Sequence, residues 1–191
     1  MKPHLEQNDL ILFYTYLDKA TVYFEYGSGG STYQASIRNN ISKIYTVESD
    51  TEWQNKLKDT IQSNNIVYFL NEMDTRPNTW GHPGPNSTPT QRIEYSNYIR
   101  QLSNDEKQRI DLVFIDGRFR VACCLKCFDI IKPDCFIAFD DFLNRKQYHV
   151  VLDYYTIVEK TSDNRMVILK KKPDITSIPE DLIKKYESIE D

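Results

Sequence analysis

Tyr23-Phe24-Glu25-Tyr26-Gly27-Ser28-Gly29-Gly30-Ser31-Thr32, followed by Tyr45-Thr46-Val47-Glu48-Ser49-Asp50, decides how this chain folds. A β-branched and aromatic run stops at a glycine-rich turn. A helix-like segment follows, and a second apolar strand ends in an acid. Glycines let a turn approach a ligand that side chains would block, and a carboxylate at the end of the next strand is placed to accept protons from ribose hydroxyls. The pattern therefore announces a nucleoside-cofactor site.

Two cofactor classes are weakened by the spacing. A dinucleotide loop wants a third glycine three residues after the second, where this chain has Thr32. A Walker loop ends in Gly-Lys-Ser/Thr, and no lysine lies between Ala20 and Asn40. A glycine loop preceded by Glu25 remains, and it resembles motif I of the class I S-adenosylmethionine-dependent methyltransferases. Asp111-Leu112-Val113-Phe114-Ile115-Asp116-Gly117 and Cys135-Phe136-Ile137-Ala138-Phe139-Asp140-Asp141 look like the fourth and fifth strands of that fold, and the resemblance covers residues 20 to 172. It implies a cofactor site of Glu25, Tyr26, Gly27, Ser28, Gly29, Ser31, Thr32, Glu48 and Ser49, with Asp74 near the adenine and Asp116 at the reacting end.

The expected fold is α/β: a Rossmann-like, doubly wound, seven-stranded sheet, mostly parallel with an antiparallel terminal strand. Helix follows strand along most of the chain, which argues for a parallel sheet covered on both faces. Thr156–Thr161 and Arg165–Lys171, joined by Ser162-Asp163-Asn164, read as a closing hairpin. At 191 residues the chain suits one domain over 1–172, opening with a helix in 1–19 capped by Asn8 or Asp9. Residues 173–191 read as a linker and a C-terminal surface helix. Thr51–Ser63 and Ile93–Leu102 are further helices.

Composition limits the partners. A net charge of -4 gives no general attraction for phosphate backbones, so nucleic acid is disfavoured. No apolar run is long enough to span a membrane. Met1-Lys2-Pro3-His4-Leu5-Glu6-Gln7 turns polar where a signal peptide would become apolar, which points to the cytoplasm, or the host cytoplasm for a viral chain. Cys123, Cys124, Cys127 and Cys135 lack the paired spacing of a zinc site and read as reduced, buried thiols.

Candidate chemistry gathers after strands four and five. Neighbouring strands lie about 4.8 Å apart, so Asp116, Asp140 and Asp141 can converge. Three acids this close need a cation or a shared proton. Mg²⁺ or another divalent cation on these oxygens is one expectation. In the metal-free alternative one aspartate is the base and Arg118, Arg120 or Arg145 pairs with the others. His149 and His82 are further candidate bases. The segment Arg76-Pro77-Asn78-Thr79-Trp80-Gly81-His82-Pro83-Gly84-Pro85-Asn86 reads as a long binding loop, ordered by burial of Trp80. Trp80, His82, Arg118, Arg120 and Arg145 are the candidate substrate contacts, the arginines for an anionic end of the acceptor.

Taken together, the loop, the Trp80-Gly81-His82-Pro83 segment, Asp116-Gly117-Arg118-Phe119-Arg120 and Asp140-Asp141-Phe142 resemble small single-domain methyltransferase-like proteins of bacteria and large DNA viruses, often linked to surface polysaccharide synthesis. The resemblance implies an O-methyltransferase using S-adenosylmethionine on a sugar hydroxyl of a glycan or glycoconjugate. Association with a glycosyltransferase, or of the chain with itself, is compatible with it. The alternatives are a non-catalytic cofactor-binding partner of a glycosyltransferase and an RNA or protein methyltransferase.

Overall fold

Strands β1 (Val22–Tyr26), β2 (Lys43–Glu48), β3 (Ile66–Leu70), β4 (Leu112–Ile115), β5 (Phe136–Phe139), β6 (Tyr155–Lys160) and β7 (Val167–Lys171) join in a single sheet in the order β3-β2-β1-β4-β5-β7-β6. This is a computed structural model, and it describes residues 1–77 and 79–190. The first five strands run parallel to one another, while β7 runs antiparallel to both β5 and β6. The last strand in the chain is thus inserted inside the sheet and leaves β6 at the edge.

Alternation along each strand builds two cores. Val22, Phe24, Tyr26, Val113, Ile115, Ile137 and Phe139 face one of them, and Tyr23, Ile44, Leu112, Phe114 and Ala138 face the other. Helix α1 (Gln7–Leu17) covers the second face with Leu12, Phe13 and Leu17. Helix α7 (Arg120–Cys127) is buried along its whole length on the first face. All four cysteines are free and buried there or beside it, and burial raises the thiols of Cys124, Cys127 and Cys135 above their ordinary range. The C-terminal helix α8 (Glu180–Tyr186) packs on α7, with Ile183 in the core and Glu187 2.6 Å from the buried Lys126 ammonium.

Register fixes where the chemistry can lie. Tyr26 pairs with both Val47 and Ile115, and Ile115 with Phe139, so Gly27, Glu48, Asp116 and Asp140 emerge together at the carboxyl edge. Right-handed crossovers carry the chain through α2 (Gly30–Ser36), α3 (Thr51–Thr60) and α7 between these strands.

Local expectations needed correcting in three places. Asp9 does not cap α1, which starts after Glu6; its carboxylate is fully buried and accepts from the Met166 N–H. The helix expected at 93–102 begins earlier, as α4 (Pro89–Tyr95), because Thr88 and Gln91 close a capping box. It is interrupted before α5 (Tyr98–Gln101), and a second box from Ser103 and Glu106 starts the short α6 (Asn104–Arg109). Among the described residues no helix is long and apolar enough to cross a membrane.

The tightest packing at the carboxyl edge is between two glycines. Gly27 has φ +94°, and a Cβ there would lie 2.7 Å from the Gly117 backbone. Gly27→Ala should therefore cost about 2–4 kcal/mol from left-handed strain and overpacking. Gly29→Ala, whose added Cβ would meet only Trp53 at 3.8 Å, should leave the urea midpoint nearly unchanged.

Candidate active site

Glu25 forms the floor of the glycine loop. Its carboxylate is fully buried and accepts from Tyr23 Oη at 2.8 Å, Ser31 Oγ at 2.7 Å and Thr32 Oγ1. Burial raises its pKa, and these hydrogen bonds oppose the rise. Thr32 also accepts from the Gly29 N–H at 2.9 Å, so the residue that breaks the dinucleotide pattern closes this loop onto Glu25. Ser31 and Thr32 are thereby committed to holding the loop. Tyr26 is turned into the core, where its hydroxyl donates to the Ser96 carbonyl at 2.9 Å.

Glu48 stands at the end of β2 as an acceptor held in place. One oxygen takes the N–H groups of Ser49 at 2.7 Å and Asp50 at 3.0 Å; the other takes Ser28 Oγ at 2.6 Å. Desolvation raises its pKa against the pull of these donors. Trp53 locks the loop from outside, its indole N–H donating to the Ser28 carbonyl at 2.9 Å. The site fits a ribose diol: exchanging the Ser28 hydroxyl for a ribose hydroxyl frees an oxygen already oriented by backbone donors.

Asp116 and Asp140 follow the paired ends of β4 and β5, and both carboxylates stand within 4 Å of the Arg120 guanidinium. The Asp116 side chain is 31% exposed and that of Asp140 only 4%. Burial, then the charge of Asp116, push Asp140 up to about 8. Burial also raises Asp116, chiefly against the attraction of Arg120. Two carboxyls this close and this dry avoid repulsion when one keeps its proton, and Asp140, with its Oδ1 buried and without a partner among the described residues, is the one placed to keep it.

The third acid does not join them. Asp141 has φ +55°, which swings its carboxylate away to Arg145 at 2.8 Å and Arg165 at 2.7 Å. Arg120 lies among all three acids, 3.1 Å from Asp116, 3.9 Å from Asp140 and 3.8 Å from Asp141. Guanidinium groups supply the positive charge the acids require. Among the described residues no group of three or more His, Cys, Asp or Glu side chains is arranged to hold a metal ion, so the divalent-cation expectation gains no support. Arg120 and Arg145, expected on the acceptor, are instead engaged by these acids.

The loop after β3 crosses this edge. Gly81 lies against Ser49, Arg118 donates to the Trp80 carbonyl at 3.0 Å, and an isolated bridge joins Thr75 to Pro83. Trp80 is 74% exposed, so its burial does not order the loop; the indole rests on His4 at 4.7 Å between centroids. Order comes from Asp74, which accepts from the Asn86 N–H at 2.9 Å and whose carbonyl accepts from Gly84. Asp74 is thus a clamp within the loop. Asn78, quoted in this segment, falls outside the described residues. His82 lies beneath the loop, held below the ordinary imidazole range by burial and by Arg118. His149 stacks on Phe142, and its buried Nε2 meets no partner among the described residues.

Four site residues escaped the sequence reading. The Tyr95 hydroxyl lies where a Cβ on Gly117 would be, and its ionisation is suppressed by burial and by Glu48. Trp53 pins the glycine loop, while Arg165 and the buried Asp9, 3.3 Å apart, brace Asp141 from behind. No short motif marks any of them; each arrives from a distant element. Hollows of about 220 and 340 Å³ lie at the opposite edge, beside Tyr16 and Asp111 and beside Tyr45 and Glu106. No strand-end acid or glycine loop faces them.

No protein-family model matches the chain, and no curated protein matches it. Its structure is similar to a methyltransferase-like protein from Silicibacter pomeroyi, with a TM-score of 0.82 and 23% identity over 98% of this chain and 97% of that one. It is also similar to the ribosomal protein L11 methylase of Lactobacillus delbrueckii subsp. bulgaricus, at TM-score 0.53, 11% identity and coverage of 87% and 77%. The M1A22 tRNA methyltransferase of B. subtilis matches at 0.53 and 11% identity, over 88% of this chain and 67% of that one. The fold is the Rossmann-like fold of the class I methyltransferases.

The raised pKa of Asp140 sets a pH dependence. In the unfolded chain it would titrate near the ordinary ~3.9. The folded state holds the proton more tightly, so this contribution to stability is complete at low pH and is lost as pH rises through about 8. Asp9, raised to about 6 chiefly by burial, acts in the same direction. The melting temperature should fall between pH 5 and 8.5, and the fall should be shallower in Asp140→Asn.

Proposed function

We propose that the protein is an S-adenosylmethionine-dependent O-methyltransferase acting on a sugar hydroxyl of a glycan or glycoconjugate. The observation that carries the reading is the Asp116–Asp140 pair, level in the sheet with the Glu48 acceptor. Class I methyltransferase structures share the fold, which supports the cofactor class. The bound cofactor would supply a methyl group on a sulfonium sulfur.

Glu48 would hold the ribose, with Gly27, Ser28 and Gly29 lining the loop above it, and Ser49 beside it under Gly81. Asp116, the accessible member of its pair, would take the proton as the acceptor oxygen bonds to the methyl carbon and the carbon–sulfur bond breaks. Asp140 would keep the pair singly protonated, leaving Asp116 ionised. Arg120 orients both acids, and Asp141 is a positioning residue held by Arg145 and Arg165. Trp80 and His82 would flank the acceptor from the loop. Placing reactants in line is worth several powers of ten in rate, and these rigid strand ends provide it.

An RNA or protein acceptor is the second reading, favoured by the methylases of a tRNA and of a ribosomal protein among the structural relatives. The net charge of -4 argues against the RNA form.

Calorimetric titration with S-adenosylmethionine and S-adenosylhomocysteine should show micromolar binding, unchanged by chelators. Glu48→Ala should weaken it at least tenfold. Asp116→Asn should keep cofactor affinity within about threefold yet lose at least a hundredfold in turnover on a sugar acceptor, a typical contribution of a general base. Absence of cofactor binding in the wild type would overturn the reading.

A further inference from the structure

A second charged centre lies where the loop after β3 meets α4 and the segment after α8. Arg76 leaves the loop just before the Thr75–Pro83 bridge ends, and its N–H donates to the His82 carbonyl at 2.8 Å. Arg92 rises from α4 and is steadied by Ser87 Oγ at 3.1 Å. Both guanidinium groups address one carboxylate, that of Glu190 near the C-terminus. Arg76 Nη2 meets Glu190 Oε1 at 3.0 Å, whereas Arg92 Nη1 stands 3.8 Å from Oε2. That second oxygen is buried and accepts no hydrogen bond among the described residues.

The fit is therefore poor on one side. A planar carboxylate satisfies Arg76 and falls short of Arg92. Arg118 and Arg145, the latter paired with Asp141, add to the positive field around His82. Burying a carboxylate oxygen without a donor is unfavourable, because the hydration it loses is not replaced. A tetrahedral oxyanion carries three outward oxygens and up to two charges, and would reach both guanidinium groups.

We infer that Arg76 and Arg92 form a binding site for a phosphate-class oxyanion of a small-molecule acceptor, and that Glu190 occupies it as an internal competitor. The geometry of the C-terminal segment explains how. Glu187 is anchored 2.6 Å from the buried Lys126, so the two residues between it and Glu190 form a short tether delivering Glu190 to the arginines. Displacing Glu190 asks residues 188–190 to move while α8 stays packed. As an anion site the cluster stands by itself; as an acceptor site it rests on the methyl-transfer reading above. It would select phosphorylated or diphosphate-linked sugars over neutral ones.

The test is calorimetric titration with pyrophosphate at constant ionic strength, on the wild type, Glu190→Gln and the double variant Arg76→Met/Arg92→Met, with thermal melts confirming that each is folded. Neutralising Glu190 should tighten pyrophosphate binding at least fivefold, and removing both arginines should weaken it at least tenfold. Equal affinity in wild type and Glu190→Gln, or retained binding in the double variant, overturns the assignment. Binding of an oligoribonucleotide more tightly than pyrophosphate, with a steep salt dependence, would overturn the small-molecule class. Cofactor titrations on the same samples keep the two readings separable: loss of S-adenosylmethionine binding with intact pyrophosphate binding condemns only the methyl-transfer role.

Discussion

The Arg120 guanidinium is the interaction on which the carboxyl edge depends. It reaches Asp116 at 3.1 Å and the Asp140 carbonyl at 2.8 Å, and it lies within 4 Å of the carboxylates of Asp140 and Asp141. Its side chain is 4% exposed. Three acids on two adjacent strands would repel one another in so dry a place, and a lysine's single ammonium could not address them in separate directions. Planarity lets one cation serve the ends of two strands and the first turn of α7 at once. The network continues through Asp141 and Arg165 to Asp9 in α1, so the N-terminal helix is wired to the site by charge as well as by apolar contact.

A second constraint lies on the other side of β1. Glu25 and Glu48 are both buried, and each is surrounded by donors from the glycine loop or its flanks. The loop is thus shaped before any ligand arrives. Its conformation follows from Gly27 meeting Gly117, from Thr32 linking Gly29 to Glu25, and from Trp53 on the Ser28 carbonyl. Among the described residues, three of the four non-glycine positions in the left-handed region, Trp80, Phe119 and Asp141, also cluster at this edge. Such conformations cost about 1 kcal/mol or more each and persist where surrounding contacts over-determine them. Arg118 on the Trp80 carbonyl and two arginines on Asp141 are those contacts.

Much of this was legible from residues alone, for a physical reason. Strand alternation, the glycine turn and the acids at strand ends are local patterns, and parallel topology then places those ends together without further information. The loop's interior was not legible, because Asp74 and Trp80 exchange the roles their residue types suggest: the acid clamps backbone and the indole stands in solvent. Nor could spacing show that Asp141 turns away, since that depends on a positive φ and on Arg165 arriving from β7. Capping boxes at Thr88–Gln91 and Ser103–Glu106 are written in the sequence and would have corrected the helix boundaries.

The burial of every cysteine has a practical consequence. Thiols sealed in the core, with ionisation suppressed, are poor nucleophiles towards external reagents in the folded state. The native surface is therefore silent to thiol-directed labels. A single cysteine introduced on the exposed Trp80 loop or in the C-terminal tether would be the one addressable thiol, and a fluorophore attached there would report local motion without background from the rest of the molecule.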